Sequence, residues 1–365
     1  MHRKHLVAAF VAVALAGTAL GGPAGAEDPD AKPTTNVLVK DLLSPLSLAV
    51  ADNGTVLYSQ NFAGSLHVKR PGKQPQTVYQ SPVPGTEVGA VSVEGTSVRF
   101  ATTFLPEEEG QGEPATALMG FGKQGKAKKL ADLWSFEENR NPDGDVTYGL
   151  RNLPEGCEVP EGFQPYQGII ESHPYATAQN GDRTFIADAA MNAILKYGAR
   201  GGLSTVAVLP PHGVKITGPV AEAQGLPECA VGLTYDFEPV PTDVEVGPGG
   251  KLYVTTLPGG PEDPSLGLRA RVYKVDPKTG KVKRVADNLL SATGLAVGAT
   301  GKMFVAELFR GRIAQVKPGA EPKRFLLAGL PADVEIRSNG DLYATIQALP
   351  PEEGPPAGQV IRIRR

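Results

Sequence analysis

Apolar and polar residues alternate in short runs along this chain, and glycine-containing turns separate pairs of these runs. In residues 241–257, Val244 and Val246 alternate with polar residues in a first run, and a second run follows Gly250. Period-two alternation is typical of a strand with one buried face, and glycine permits the positive φ that a tight turn requires. The pattern therefore predicts an antiparallel β-hairpin.

Six variants of this hairpin recur along the chain. They cover residues 46–58, 88–100, 175–185, 241–257, 293–304 and 331–343, with turn glycines Gly54, Gly95, Gly181, Gly250, Gly301 and Gly340. The shortest distances between successive turns are 39 and 41 residues, and further β-rich runs follow the hairpins. Four-stranded units of about 40 residues are typical of propellers. We therefore predict an all-β, six-bladed β-propeller with four-stranded antiparallel blades.

The last repeat lacks one strand. Residues 359–363 supply its third strand, and the sequence ends at Arg365. The alternating segment 36–40 belongs to no repeat. We expect this N-terminal strand to complete the last blade and close the ring, because closure removes exposed strand edges.

The first 26 residues have the pattern of a secretory signal. Positive residues 2–5 precede an apolar run at 6–20, and Ala24-Gly25-Ala26 matches a cleavage site. An uncleaved anchor is the alternative, although the run is short for a bilayer span. We expect a signal peptide at 1–26, a disordered leader at 27–35 and a secreted, monomeric propeller at 36–365, released or held at the cell surface.

The extra length of the chain falls on one face of the predicted propeller. This is the elaborated face, which carries the connections from second to third strands and the links between blades. Its long segments are 103–116, 133–174, 211–240, 257–269 and 347–357, with a combined net charge of −16. We expect this face to bind a small molecule, a cation or a basic peptide or protein, and not nucleic acid. Acidic loops that are merely solvated are the alternative.

The two cysteines lie in the two longest of these segments, Cys157 in 133–174 and Cys229 in 211–240. An even count in an exported chain favours one disulfide, and two separate buried thiols are the alternative. A bridge would hold the two segments together over the mouth of the central channel. Neither cysteine has a second Cys or a His at zinc-ligand spacing.

Candidate ligand-binding side chains lie at the channel mouth, where first strands begin or hairpins turn. They are Glu87, Glu171, His173, Asp188, Asn192, Asp243 and Asp333. Asp243 and Asp333 occupy equivalent places in Pro-Thr-Asp-Val-Glu-Val and Pro-Ala-Asp-Val-Glu-Ile, so their carboxylates are candidates for a Ca²⁺ site. The alternative is that repeated polar residues hydrate the channel. For Asp188 and Asn192 we favour a structural role at the turn.

Catalytic chemistry finds little support in the sequence. It contains no G-x-S-x-G motif, and His67 and His212 are expected on a strand surface and in an insertion. We therefore favour a non-catalytic propeller that binds a ligand through its acidic face. The alternatives are a metal-dependent hydrolase or lactonase acting at the channel mouth, and a redox or synthase-type propeller.

Three stretches carry a family resemblance. His-Pro-Tyr-Ala at 173–176, NGDRTFIADAAMNAI at 180–194 and VPTDVEVGPGGKLYV at 240–254 resemble the secreted propeller proteins associated with scytonemin biosynthesis (ScyD/ScyE type). Members have Asn-Pro-Tyr-Gly and Asp-x-x-x-Asn in the first two stretches. Asp188 and Asn192 fit the second motif, whereas His173 and Ala176 depart from the first. The resemblance covers nearly the whole chain after residue 26 and implies a six-bladed propeller and a signal peptide, but no agreed activity.

Overall fold

The computed structural model of the protein describes residues 33–106, 112–122 and 125–364. The predicted signal peptide, most of the predicted leader, and residues 107–111 of the first acidic segment lie outside the described residues. Within the described ranges, no helix is long and apolar enough to cross a membrane.

The described residues form twenty-eight strands and two α-helices, joined by turns and loops. The first strands are β1 (Thr34–Leu42), β2 (Leu48–Val50), β3 (Val56–Gln60), β4 (Ser65–Lys69), β5 (Gln76–Gln80), β6 (Glu87–Glu94), β7 (Ser97–Phe104), β8 (Ala115–Phe121), β9 (Ala127–Asp132), β10 (Thr147–Arg151), β11 (Tyr166–Gln167), β12 (Pro174–Asn180), β13 (Arg183–Asp188), β14 (Ala193–Gly198) and β15 (Gly202–Val208). The others are β16 (His212–Lys215), β17 (Thr234–Phe237), β18 (Pro241–Val246), β19 (Leu252–Thr256), β20 (Ala270–Val275), β21 (Val282–Leu289), β22 (Ala292–Val297), β23 (Met303–Glu307), β24 (Arg312–Val316), β25 (Lys323–Leu327), β26 (Val334–Ile336), β27 (Leu342–Ile346) and β28 (Gly358–Arg364). The helices are α1 (Leu133–Arg140) and α2 (Gly218–Ala223), and short 3-10 turns lie at Asn61–Ala63, Glu161–Phe163, Glu228–Ala230, Pro248–Gly250 and Pro264–Leu266.

Six four-stranded antiparallel sheets contain the six repeats. Their orders are β2-β3-β4-β5, β6-β7-β8-β9, β12-β13-β14-β15, β18-β19-β20-β21, β22-β23-β24-β25 and β1-β28-β27-β26. The six predicted turn glycines all have positive φ, from 59° at Gly95 to 87° at Gly340. The predicted all-β propeller fold is therefore confirmed, and the turns lie where the repeat pattern predicts them.

The first strands of these six sheets surround a central channel. Each of β2, β6, β12, β18 and β22 contacts the next, and β26 contacts β2. In the last sheet, β1 pairs with β28, from Thr34 opposite Arg364 to Leu42 opposite Gly358. The N-terminal strand thus closes the ring as predicted, although it begins at Thr34, two residues before the predicted start.

The core consists of apolar clusters that lie between neighbouring sheets. Phe185 and Leu209 of the third repeat sheet pack against Val244, Val254 and Tyr273 of the fourth. This cluster uses alternate residues of strands from both sheets, so the period-two pattern of the sequence becomes the packing surface between them.

A seventh four-stranded sheet, with the order β11-β10-β17-β16, was not predicted. The two segments expected to be long loops, 133–174 and 211–240, supply its strands. β10 pairs with β17 in the register Gly149 opposite Asp236, so the segments are joined by backbone hydrogen bonds. The physical reason is that Leu150 and its neighbours bury an apolar cluster of their own, which separate solvated loops would leave exposed.

The predicted disulfide joins the same two segments. The sulfurs of Cys157 and Cys229 are bonded at 2.14 Å, with their Cα atoms 6.0 Å apart. Cys157 is buried and Cys229 is exposed. The bridge therefore cross-links the two segments that form the seventh sheet.

Candidate functional site

The channel contains four carboxyl groups from two equivalent first strands. Asp243 and Glu245 lie two residues apart and therefore on one face of β18, and Asp333 and Glu335 have the same relation at β26. The charge of Asp333 raises the pKa of Asp243, Glu245 and Glu335, so the four groups share one electrostatic environment. We call them the channel acids.

Asp243 and Asp333 also connect neighbouring sheets. Asp243 Oδ2 accepts a hydrogen bond from the backbone N–H of Leu295 at 2.5 Å, while its Oδ1 accepts one from the backbone N–H of Val244. Asp333 forms the equivalent pair with the backbone N–H groups of Leu48 and Val334. Both aspartates thus have a structural role at the inner edge of the ring.

Burial and mutual repulsion hold protons on the channel acids. Burial raises the pKa of Asp333 to about 7. Burial, then the charge of Asp333, raises the pKa of Glu245 to about 8. The pKa values of Asp243 and Glu335 are raised well above their ordinary range, again chiefly by burial. Among the described residues, none of the four forms a salt bridge with Lys, Arg or His.

The Ca²⁺ site expected at Asp243 and Asp333 stays a prediction, and the contacts of these two residues give it no support. Both carboxylates already accept two backbone hydrogen bonds. In the described ranges, no group of three or more His, Cys, Asp or Glu side chains is arranged to hold a metal ion. We therefore assign no step to a metal at this place.

A second group of polar side chains lies where β6 and β12 begin, beside the same channel. His173 Nε2 lies 3.3 Å from Glu87 Oε2, and the ring of His173 packs edge-on against Tyr175, with 4.6 Å between centroids. Glu171 and Glu262 lie near enough to raise the pKa of Tyr175. We call Glu87, Glu171, His173, Tyr175 and Glu262 the mouth group.

Carboxylates control the charge of His173. Burial alone would lower the pKa of its imidazole, but the hydrogen bond and charge of Glu87, with smaller effects of Asp188 and Glu171, raise it. For Tyr175, burial and then the charges of Glu87 and Glu262 raise the pKa of the hydroxyl. The mouth group is thus a set of acids around one aromatic ring, which is suited to a cationic ligand.

Asp188 and Asn192 lie beneath the mouth group and are fully buried. Asp188 accepts hydrogen bonds from the backbone N–H groups of His173 and Met191 and from the Ser172 hydroxyl. The Asn192 amide donates to Asp143 at 2.9 Å and to Glu238 at 3.2 Å. Both residues therefore attach the inserted segments to the third repeat sheet and do not face the channel.

The two other histidines among the described residues have structural surroundings. His67 lies on β4, as predicted, and its ring stacks on Tyr58 with 5.2 Å between centroids. His212 lies buried at the start of β16, where burial and the charges of Arg271 and Arg269 lower its pKa to about 3. A neutral His212 is thus part of the seventh sheet.

The predicted candidates lie in three places. Asp243 and Asp333 are among the channel acids, Glu87, Glu171 and His173 belong to the mouth group, and Asp188 and Asn192 are buried beneath it. Glu245 and Glu335 were not predicted, although the alternation Asp-Val-Glu places each two residues after a predicted candidate. Tyr175, two residues after His173, and Glu262 were not predicted either. No sequence signal links Glu262 to this group, because it is brought there by the connection between β19 and β20.

Exposed apolar side chains also concentrate on the elaborated face. Nine large apolar side chains are exposed in the described residues, and seven of them lie in connections on this face. The seven are Phe62, Val83, Ile169, Ile170, Val231, Leu268 and Phe309. Phe62 and Val83 line one surface groove. This face therefore combines acidic and apolar surface.

Known proteins resemble this chain in fold and not in sequence. No family model and no curated protein match the sequence. The apo-form aldose sugar dehydrogenase of Escherichia coli aligns with 91% of this chain and 99% of its own at 12% identity and a TM-score of 0.55. A glucose dehydrogenase aligns with 91% of this chain and 99% of its own, at 14% identity and a TM-score of 0.51. A streptogramin B lyase aligns with 91% of this chain and 97% of its own, at 11% identity and a TM-score of 0.50. At these identities the likeness shows the β-propeller fold alone.

Proposed function

We propose that this protein binds a basic polypeptide segment on its elaborated face, with one or more cationic side chains entering the channel mouth. The observation that carries the proposal is the set of channel acids, which are close enough to repel one another and have no basic partner among the described residues. The channel acids hold protons because their charged forms lack a counterion, and a Lys or Arg side chain entering the channel would stabilise the carboxylates.

The apolar surface of the elaborated face supports a polypeptide ligand rather than a lone ion. Exposed Phe62, Val83 and Phe309 offer apolar contact on the same face that carries the acidic segments. Apolar contact supplies affinity, whereas complementary charge sets the association rate and excludes acidic competitors. The ligand we propose therefore combines basic and apolar side chains.

We propose further that the protein acts outside the cytoplasm. The signal-like residues 1–26 and the Cys157–Cys229 bridge support export, since disulfides persist in oxidising compartments. The resemblance to scytonemin-associated secreted propellers agrees with this place of action and leaves the ligand undefined.

The test uses three fluorescent peptides of equal length that alternate Lys with Leu, Lys with Ser, or Glu with Leu. We expect the protein to bind the Lys-Leu peptide most tightly, the Lys-Ser peptide more weakly and the Glu-Leu peptide not at all. Fluorescence anisotropy gives the affinities, and raised salt should weaken binding because it screens the charges.

Variants locate the binding. Glu245→Gln combined with Glu335→Gln should lower the affinity for the Lys-Leu peptide by about tenfold. The matched control replaces two exposed acids of the same face, Glu222→Gln with Glu228→Gln, and should bind like the wild type. Equal affinity for all three peptides, or an unchanged affinity in the channel variant, would overturn the proposal.

A second candidate function rests on the contact between His173 and Glu87. An imidazole oriented by a carboxylate can act as a general base. His173 would take a proton from water, the resulting hydroxide would add to a lactone carbonyl, and the ring C–O bond would break with proton return to the leaving oxygen. Hydrolysis of dihydrocoumarin that is abolished in His173→Asn would support this candidate, and no hydrolysis above the buffer rate would reject it.

A further inference from the structure

The C-terminal end of α1 collects buried oxygen acceptors that receive no well-formed hydrogen bond within the described residues. They are both carboxylate oxygens of Glu137, the amide oxygen of Asn141 and Oδ1 of Asp143. The side chains of Glu137 and Asp143 are fully buried, with 0% exposure each. Buried acceptors nearly always have a partner, so four of them within seven residues need an explanation.

The three side chains face one short stretch of the chain, residues 168–171. The Asn141 amide nitrogen donates to the Gly168 carbonyl at 3.2 Å. A Cβ at Gly168 would lie only 2.2 Å from Asp143 Oδ1, so this glycine lets the backbone approach the carboxylate. The backbone N–H of Glu171 lies close enough to the Glu137 carboxylate to lower its pKa by hydrogen bonding, although burial outweighs this effect. The unpaired oxygens therefore occupy a common neighbourhood.

The hydrogen bonds from other side chains to Asp143 all go to one of its two carboxylate oxygens. This oxygen, Oδ2, accepts from the Tyr148 hydroxyl and the Asn192 amide, both at 2.9 Å. These contacts fix the orientation of the carboxylate. Neighbouring Asp188 has both oxygens occupied by donors, so it adds negative charge without adding a free acceptor.

The electrostatic surroundings favour a cation. Burial and the charges of Asp188 and Asp143 raise the pKa of Glu137 to about 8, and no described Lys or Arg forms an ion pair with it. Asn141 ends α1 in the left-handed conformation, and its N–H is bonded to the Glu137 carbonyl. The end of a helix carries partial negative charge, which adds to that of the carboxylates.

We propose that Glu137, Asn141 and Asp143 bind a hard divalent cation, Ca²⁺, which fastens the inserted segment 133–174 to the propeller. All the free acceptors are oxygens, the ligands that Ca²⁺ prefers, and backbone carbonyls and water can complete its six to eight ligands. The set needs only two carboxylates because an amide oxygen is the third side-chain ligand. This site is separate from the channel acids, so it does not depend on the proposed binding of a basic polypeptide.

The test measures metal content and thermal stability of the purified protein. After dialysis, elemental analysis should find one Ca²⁺ per chain. Millimolar CaCl₂ should raise the Tm by about 5 °C relative to EGTA, because a ligand of the folded state alone stabilises it. Mg²⁺ should have a smaller effect, because it is smaller and demands octahedral geometry, and Zn²⁺ should have none.

Two adjacent glutamates provide matched variants. Glu137→Gln should lose the bound Ca²⁺ and the shift, whereas Glu138→Gln, which alters an exposed side chain of the same helix, should keep both. The proposal is overturned if the wild type retains no Ca²⁺, its Tm does not shift with CaCl₂, and Glu137→Gln is at least as stable as the wild type. Glu137 would then hold a proton instead of a cation. Should Glu137→Gln fail to fold, the metal content and EGTA response of the wild type still decide.

Discussion

Asp333 and Leu48 are 285 residues apart in sequence, yet Asp333 Oδ2 accepts a hydrogen bond from the Leu48 backbone N–H at 2.7 Å. The bond joins the last repeat sheet to the first. Asp243 and Ser47 make equivalent bonds to the backbone N–H groups of Leu295 and Val91. The ring is therefore closed twice, by β1 in the outer strand of the last sheet and by a side chain at the channel.

Replacing Asp333 by alanine should lower the free energy of unfolding by about 1–3 kcal/mol, because the buried N–H groups of Leu48 and Val334 lose their acceptor. Urea denaturation followed by circular dichroism measures this change. Asp243→Ala should have a similar effect through Leu295 and Val244. Asp182→Ala, an exposed control, should change stability by less than about 0.5 kcal/mol. If Asp333→Ala behaves like Asp182→Ala, the bond to Leu48 has no role in closing the ring.

Local rules explain which parts of this fold can be predicted from sequence. A tight turn requires positive φ whatever surrounds it, so Gly54 and the other five turn glycines mark the repeats by themselves. The closing strand followed from counting, since the last repeat lacked one strand and segment 36–40 was left over. Alternation also predicted the surfaces that pack between sheets.

The seventh sheet and the buried acids depend on contacts that no local pattern records. β10 and β17 pair across about 85 residues, and each is a short run inside a Pro- and Gly-rich segment. Glu137 and Asp143 look like ordinary surface acids in sequence, and burial beneath segment 168–171 alone distinguishes them. Glu245 could have been predicted from the sequence, because period-two alternation places it on the same face of the strand as Asp243.

The backbone of β22 approaches the last repeat sheet so closely that it requires a glycine. A Cβ at Gly294 would lie 2.5 Å from the Asp333 Cα and 2.8 Å from the Ala332 carbonyl oxygen. Gly294→Ala should therefore lower the free energy of unfolding by about 1–3 kcal/mol through overpacking. Gly198→Ala is the control, because its Cβ would meet nothing within 4 Å. Equal urea midpoints for the two variants would contradict this account of the close approach.

The Cys157–Cys229 bridge should stabilise the folded protein mainly by restricting the unfolded chain. It joins residues 72 apart, and replacing both cysteines by serine should cost about 2–4 kcal/mol in urea denaturation. The double variant should still fold, because β10 and β17 pair independently of the sulfurs. Treating the wild type with a reductant, which can reach the exposed Cys229, should reproduce the loss. An unchanged urea midpoint in both experiments would mean that the unfolded state is already compact between these residues.

The channel acids should make stability fall as pH rises. The pKa of Glu245 is about 8 and that of Asp333 about 7 in the folded protein, against about 4 in an unfolded chain. Between pH 4 and 8, approximately, the folded state holds protons that the unfolded state has released, so the free energy of unfolding decreases over this interval. Glu245→Gln removes one of these groups and should make the decrease shallower, as measured by urea denaturation at several pH values. Glu222→Gln, which replaces an exposed acid on α2, should leave the slope unchanged. Parallel curves for wild type and Glu245→Gln would contradict protonation at this place.

Deprotonation at the upper end of the interval leaves the channel more negative. The Lys-Leu peptide should therefore bind the wild type more tightly at about pH 8 than at about pH 6, and this difference should be smaller in Glu245→Gln.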